Sequence, residues 1–168
     1  MQLKGTGKVM RNLIVLLLLG VTVIAYSQTP HQPFTITLSS GKPEVKAGDR
    51  VHVDILMTNT SNQDVNCTID AHGGLDMNYG YKVVDADGRT LPEIPRNHPL
   101  PGSIYPCTLK PGESRSLPSS ISTLYDLTHP GKYTIQVTRG YEGSDELVSS
   151  NTLTITVIAP DSPSPSPK

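Results

Sequence analysis

Cys67 and Cys107 are the residues of this 168-residue chain whose chemistry is most narrowly defined. An even pair of cysteines in an exported chain predicts a single disulfide bridge. Such a bridge would close a loop of about 40 residues, for which the chain-entropy model gives roughly 4 kcal/mol of stabilisation. The alternative is two unpaired thiols. Uncharged residues flank both cysteines, so nothing nearby favours the thiolate that a nucleophile requires.

The other residue types with catalytic or metal-binding chemistry lack partners at the required spacing. Asp85 and Asp87 precede Gly88 as at the start of a calcium loop, but the third acidic position and the closing Glu are missing, which favours a hairpin turn. No Gly-x-Ser-x-Gly elbow occurs. The sequence therefore predicts no metal, no cofactor and no enzymatic activity. The histidines are scattered, without a second His or Cys at ligand spacing: His31, His52, His72, His98 and His129.

Composition argues against nucleic acid as a partner. The formal net charge is -1, and the basic residues are dispersed along the chain. A phosphate backbone selects a concentrated positive field, which such a chain does not supply. With no Trp and one Phe, a base-stacking platform would have to be built from tyrosines alone.

The first residues have the pattern of a secretory signal peptide. Basic residues precede an apolar run over residues 13–25, and small residues at Ala25 and Ser27 fit a cleavage site before Gln28. An uncleaved membrane anchor is the alternative, but the run is shorter than the roughly 20 residues that a bilayer core needs. We therefore expect residues 1–27 to be a helical signal peptide, with the mature protein secreted or in the periplasm or cell envelope and without a stable membrane span.

Beyond the signal segment, apolar residues recur with period two. The clearest cases are residues 34–38, 51–57, 133–137 and 153–157, each of which alternates apolar with polar side chains. This spacing is typical of half-buried antiparallel strands, and no window outside the signal segment has a helical period. About seven short strands separated by turns predict an all-β fold, a β-sandwich over residues 28–159.

Two long connections and the C-terminus have no strand pattern. Residues 92–111 are rich in proline, which predicts mainly surface loop tied down by Cys107. Residues 160–168 repeat Ser-Pro and have almost nothing to bury, so we expect a disordered tail. Loops at the ends of such a sandwich usually carry binding, which makes residues 70–78 and 91–106 the candidates for contact with a protein partner.

Residues 125–135 resemble the corner that leads into a late strand of immunoglobulin-like domains. The resemblance implies a tyrosine corner at Tyr133, with Asp126 near its start, in which the Tyr133 hydroxyl bonds to backbone upstream. Together with turn signatures elsewhere, the order over residues 34–158 resembles two groups of bacterial domains. One is the BsuPI-type proteinase inhibitor domain, and the other is the immunoglobulin-like domain that precedes the catalytic part of deuterolysin-type metallopeptidases.

The resemblance implies an immunoglobulin-like frame more than an activity, because one fold supports many functions. The His-Glu-x-x-His motif of the peptidases does not occur, so their catalytic part is absent. We expect a secreted, non-enzymatic module that binds a protein through its loop ends. The alternative is a proteinase inhibitor of the BsuPI type, for which the sequence identifies no reactive loop.

Overall fold

The computed structural model describes residues 32–72, 75–95 and 102–160, and in these residues the chain is almost entirely β-structure. The only helical residues in those ranges form a 3₁₀ turn, Ile121–Thr123. This confirms the all-β prediction. The strands are β1 (Phe34–Ser39), β2 (Glu44–Lys46), β3 (His52–Asn59), β4 (Val65–Asn66), β5 (Ile69–His72), β6 (Leu75–Asp76), β7 (Tyr79–Val84), β8 (Gly102–Tyr105), β9 (Thr108–Leu109), β10 (Ser114–Ser120), β11 (Gly131–Gly140), β12 (Leu147–Ser149) and β13 (Leu153–Ile158).

The predicted segments at the two ends fall outside this description. The signal segment, residues 1–27, and its cleavage site between Ser27 and Gln28 are not among the described residues, and neither are residues 161–168 of the predicted tail. Within the ranges that are described, no helix has the length and apolar character needed to cross a membrane.

Two sheets account for most of the strands. In the first, β3 lies between β1 and β10, and both pairings are antiparallel. In the second, β11 pairs with β7 along one side and with β12 and β13 along the other. One edge of this second sheet is β2, which pairs with β13 in parallel. The expectation of a purely antiparallel arrangement is therefore wrong at this one pair.

Residues from both sheets form one hydrophobic core. Along β1, β3, β11 and β13, alternate side chains are buried, as period-two spacing requires when one face of a sheet is covered. Fully burying one such side chain is worth about 1.5–3 kcal/mol, so this alternation provides the main driving force for folding. The inward residues of β1, β3, β11 and β13 are Phe34, Ile36, Leu38, Val53, Ile55, Met57, Tyr133, Ile135, Val137, Ile155 and Val157.

A third ladder runs along residues 65–72 and 102–109 and contains the disulfide. Val65 lies opposite Leu109 in β4 and β9, and Ile69 lies opposite Tyr105 in β5 and β8, which is the same register. Cys67 and Cys107 are bonded to each other between these pairs, with their Cα atoms 4.8 Å apart. β6 pairs with the other side of β5. We call β5, β6 and β8 the tethered sheet.

The expectation of surface loop over residues 92–111 is wrong for β8 and β9, and that of a loop over residues 70–78 is wrong for β5 and β6. The amide of Cys67 donates to the carbonyl of Cys107 at 3.0 Å, which makes this a hydrogen-bonded pair of the ladder. Hydrogen-bonded and non-bonded pairs alternate, so the next pair, Thr68 with Pro106, makes no ladder bond. Pro106 therefore costs no hydrogen bond, which is why proline does not break the ladder here.

Candidate functional site

β8 is the exposed strand of the tethered sheet, because all four of its residues are solvent-exposed, whereas β5 and β6 are buried or half-buried. Ile104 is 69% exposed and Tyr105 is 52% exposed, and Met77 beside β6 is also exposed. These three are half of the six large hydrophobic side chains that are exposed among the described residues. A concentration of exposed apolar groups on one small sheet is a feature of interaction surfaces.

A buried ion pair joins the tethered sheet to β11. Arg139 Nη1 lies 3.2 Å from Asp76 Oδ2, and the two side chains are only 8% and 0% exposed. The other guanidinium nitrogen, Nη2, donates to the carbonyl of Thr68 at 2.9 Å. The guanidinium carbon lies 4.9 Å from the centre of the Tyr79 ring, in cation–π geometry. Arg139 thus bonds both to Thr68, which follows β4, and to Asp76, which lies in β6.

Asp76 uses its remaining acceptor capacity within the tethered sheet. Its Oδ1 accepts the amide of Asp70 at 2.9 Å and both the amide and the side-chain Nδ2 of Asn78, at 3.1 and 2.9 Å. A buried carboxylate is tolerated when it is paired and hydrogen-bonded in this way. With its hydrogen-bond partners supplied by the protein, this carboxylate has a structural role.

Tyr81 adds a second buried polar contact at the same place. Its hydroxyl donates to the carbonyl of Asp76 at 3.1 Å and accepts the Asp76 amide at 3.3 Å. Ser119 Oγ, on β10, lies 3.3 Å away. Burial is the main reason that the pKa of Tyr81 is raised to about 12. The hydroxyl is therefore neutral at ordinary pH and connects the tethered sheet to both large sheets.

Asp70 and His72 form a partly exposed pair on the outer face of the tethered sheet. His72 Nε2 lies 2.8 Å from Asp70 Oδ1. The imidazole ring lies directly over Gly102 of β8, where an added Cβ would be 2.1 Å from its Cε1 atom. This position requires glycine because any side chain would displace the ring. The Asp70–His72 contact alone has the form of half of a catalytic dyad.

The residues of the predicted tyrosine corner lie at the start of β11. Tyr133 Oη donates to the carbonyl of His129 at 2.8 Å. Asp126 Oδ1 accepts the hydroxyl and the amide of Thr128, at 2.6 and 3.0 Å, and these two bonds lower the pKa of the Asp126 carboxyl. Tyr125 Oη donates to the carbonyl of Tyr81 at 2.6 Å. The segment is held by its own hydrogen bonds and has no evident binding chemistry.

The remaining candidate residues are not brought together into a site. Asp85 Oδ1 accepts the amides of Asp87 and Arg89 in a turn that ends at Gly88, whose φ is 81°. His52 points outward from β3. Within the described ranges, no three His, Cys, Asp or Glu side chains are grouped so that they could hold a metal ion. His31 and His98 lie outside those ranges.

The Arg139–Asp76 pair is the feature that sequence reasoning missed. A signal for it exists, because Arg139 continues the inward series of β11 after Val137 at the same spacing of two. A charged residue at an inward strand position predicts a buried partner of opposite charge. The sequence does not show which carboxylate that is, because Asp76 is far away in the chain.

No protein-family model matches the chain, and no curated protein matches it. Among solved structures, it is similar to a β-glucosidase from Listeria innocua in complex with isofagomine, with 15% identity and a TM-score of 0.43 over 76% of this chain and 16% of that chain. It is also similar to a family 123 glycoside hydrolase from Clostridium perfringens, with 12% identity and a TM-score of 0.44 over 79% of this chain and 28% of that chain. A third similarity is to Spo0M, a sporulation control protein from Bacillus subtilis, with 10% identity and a TM-score of 0.44 over 75% of this chain and 49% of that chain. The chain therefore spans less than half the length of each of these proteins, and at such TM-scores the similarities say nothing about activity.

Proposed function

We propose that this protein is a secreted, non-enzymatic immunoglobulin-like module that binds a protein partner through the tethered sheet. The observation that carries the proposal is the exposure of β8, where Ile104 and Tyr105 project from a strand anchored by the Cys67–Cys107 bridge. Anchoring restricts the strand before binding, so less conformational entropy is lost when a partner orders it.

The strand order supports the immunoglobulin-like part of the proposal. β1, β3 and β10 form one sheet, while β7, β11, β13 and β2 form the other, and both contribute to one core. In an immunoglobulin-like sandwich, β1 and β2 would together form the first strand, divided between the two sheets. In the chain, β5 and β6 precede β7 and β8 follows it, so the tethered sheet is formed by the two connections that flank β7.

The non-enzymatic part rests on the polar groups of the buried cluster. Asp76, Arg139 and Tyr81 are all bonded to protein atoms, which is typical of structural networks rather than of groups held ready for a substrate. Export is supported by the signal-like N-terminus and by the disulfide, since a bridge of this kind persists in oxidising compartments.

The experiment uses the mature protein coupled to beads and a cell-envelope extract, with bound proteins identified by mass spectrometry. We expect capture of a partner that Ile104→Asp abolishes. Leu147→Asp is the matched control, because Leu147 is also an exposed large hydrophobic residue but lies on β12. Capture that survives Ile104→Asp, or is lost equally in the control, would exclude the tethered sheet as the binding surface.

A proteinase inhibitor is the second candidate, and one observation favours it. Proteins can bind an exposed extended segment through its main-chain hydrogen bonds, and Gly102–Tyr105, close to the disulfide-bonded Cys107, is such a segment. Residual activity of serine and metalloproteinases is measured after incubation with the mature protein. Stoichiometric inhibition that Ile104→Asp removes would favour this function over a module that binds an envelope partner.

A further inference from the structure

We propose that the free edge of β8 pairs with the same edge of a second copy of this chain, antiparallel and centred on Ser103. The inference rests on the proposed function, because it names the occupant of the surface to which that function assigns binding. It follows from the direction of the backbone groups of β8, the side chains along its edge and the length of the strand.

The backbone groups of Asp70 establish which groups of β8 face outward. The Asp70 amide donates to Asp76 Oδ1 and its carbonyl accepts the amide of Met77 at 2.8 Å, so both point towards β6 and away from β8. Because the directions alternate along a strand, the pair of Asp70 with Ile104 makes no ladder bond. The same holds for Gly102, two residues away.

It follows that the amide and carbonyl of Gly102 and of Ile104 point to the open edge. β8 pairs only with β5 among the described residues, so none of the described strands lies beside this edge. Unpaired amides and carbonyls on an extended strand are satisfied by another extended strand. Ser103 and Tyr105, in contrast, have their backbone groups directed at β5.

The edge is complementary to itself. Antiparallel pairing about Ser103 sets Gly102 of one copy opposite Ile104 of the other, twice, because the contact has two-fold symmetry. In each of these pairs the outward amides and carbonyls exchange two hydrogen bonds. No outward donor or acceptor of Gly102 or Ile104 is then left without a partner.

The side chains also fit this pairing. Ile104 of the second copy would lie beside Gly102, which has no side chain, and against the His72 ring that covers it. The most exposed of the large hydrophobic residues would thereby lose much of its contact with water. Gly102–Tyr105 contains no charged residue, so two copies meet without like charges opposite each other.

The length of the strand sets the strength of the contact. β8 has four residues, whereas an interface of standard size has roughly 20–30 residues on each side. We therefore expect a weak dimer that forms with rising protein concentration, and a covalent trap is the appropriate probe.

Ser103→Cys provides that trap. The two Ser103 residues would face each other in a non-hydrogen-bonded pair, where Cα atoms are about 4.5 Å apart, within the range of a disulfide. We expect a disulfide-linked dimer of the exported protein under mild oxidation, visible on a non-reducing gel. Ser116→Cys is the matched control, because Ser116 is an exposed serine on β10, which is an edge strand of another sheet. Equal yields from both variants, or no dimer from Ser103→Cys, would overturn the proposal.

Sedimentation equilibrium of proteins without the added cysteine provides the second measurement. Ile104→Pro removes an outward amide but no ladder bond, and Ile104→Lys places like charges at the contact. We expect both to abolish the self-association of the parent protein while circular dichroism and the native disulfide are unchanged. Monomeric parent protein, or unaltered association of both variants, would contradict the proposal. If the chain is monomeric and captures a different protein through Ile104, the second copy is excluded as the occupant of this edge. The proposed function would still stand.

Discussion

Arg139 is charged and yet buried because β11 extends beyond the apolar part of the core. The inward positions of this strand are Tyr133, Ile135, Val137 and then Arg139, and the last of these meets Asp76 rather than aliphatic side chains. A complete buried pair adds little to stability, because desolvation offsets the attraction. Removing only one member of the pair does affect stability, because the other charge is then buried without a counter-charge.

Replacing Asp76 with Asn should therefore destabilise the protein strongly. The substitution leaves the Arg139 guanidinium buried without its carboxylate, which typically costs about 3–5 kcal/mol. Urea unfolding, followed by circular dichroism, measures the free energy of unfolding. Arg89→Met is the control, because Arg89 and Asp87 form an exposed pair at 3.4 Å, and removing it should cost less than about 1 kcal/mol. Similar losses in both variants would show that the Arg139–Asp76 pair is not electrostatically buried.

Tyr81 makes stability depend on pH in the alkaline range. The pKa of Tyr81 is about 12 in the folded protein against 10.0 for an ordinary tyrosine, so between these values the unfolded state loses the proton first. Stability contributed by the neutral hydroxyl is present below pH 10 and is lost as the pH rises towards 12, by up to about 2 kcal/mol. We expect Tyr81→Phe to be less stable than the parent at pH 8, and this difference to shrink between pH 10 and 12. A difference that stays constant over that range would refute the assignment.

The ladder between residues 65–72 and 102–109 is the element that depends most on a single covalent bond. Its strands are short, and β8 contributes no buried side chain to the core. Ladder hydrogen bonds on an exposed two-residue or four-residue strand are easily lost to water. The Cys67–Cys107 bridge joins the two segments in the middle of the ladder, next to Pro106.

Removing the bridge should release β8 before it unfolds the large sheets. For a loop of about 40 residues, the chain-entropy model gives a loss of roughly 4 kcal/mol in the double variant Cys67→Ser, Cys107→Ser. We expect limited proteolysis of this variant to cut first within residues 102–109, with the parent protein resistant there under the same conditions. First cleavage in β11 or β13 would show instead that the bridge supports the whole domain.

The strands of the two large sheets could be predicted because each carries its own signal. Phe34, Ile36 and Leu38 alternate with threonine and serine, and such a period requires no knowledge of the partner strand. β8 has no such signal, since Gly102, Ser103, Ile104 and Tyr105 are all exposed and prolines flank them. Its pairing with β5 depends on the register that the disulfide and the Asp76–Arg139 pair impose, which is a property of the folded chain.

On the scale of the whole molecule, three kinds of contact hold the tethered sheet in place. The disulfide joins its two long segments, the Arg139–Asp76 pair joins it to the sheet that contains β11, and Tyr81 brings Asp76 within reach of Ser119 on β10. These contacts are chemically different, so no single change of pH or redox state removes all of them. A rigid support of this kind suits a surface that must present a strand in one conformation.

The disulfide and the N-terminal sequence agree with the proposed export, because disulfides persist mainly in oxidising compartments. If residues 1–27 direct export, the mature protein should begin at Gln28 and be lighter than its reduced form by the mass of two hydrogens. Intact-mass measurement before and after reduction tests both expectations on one sample. Ala25→Arg should block cleavage, because signal peptidase requires small residues at this position, and the variant should then retain residues 1–27. A parent protein that keeps these residues in the membrane fraction would instead identify the segment as an anchor.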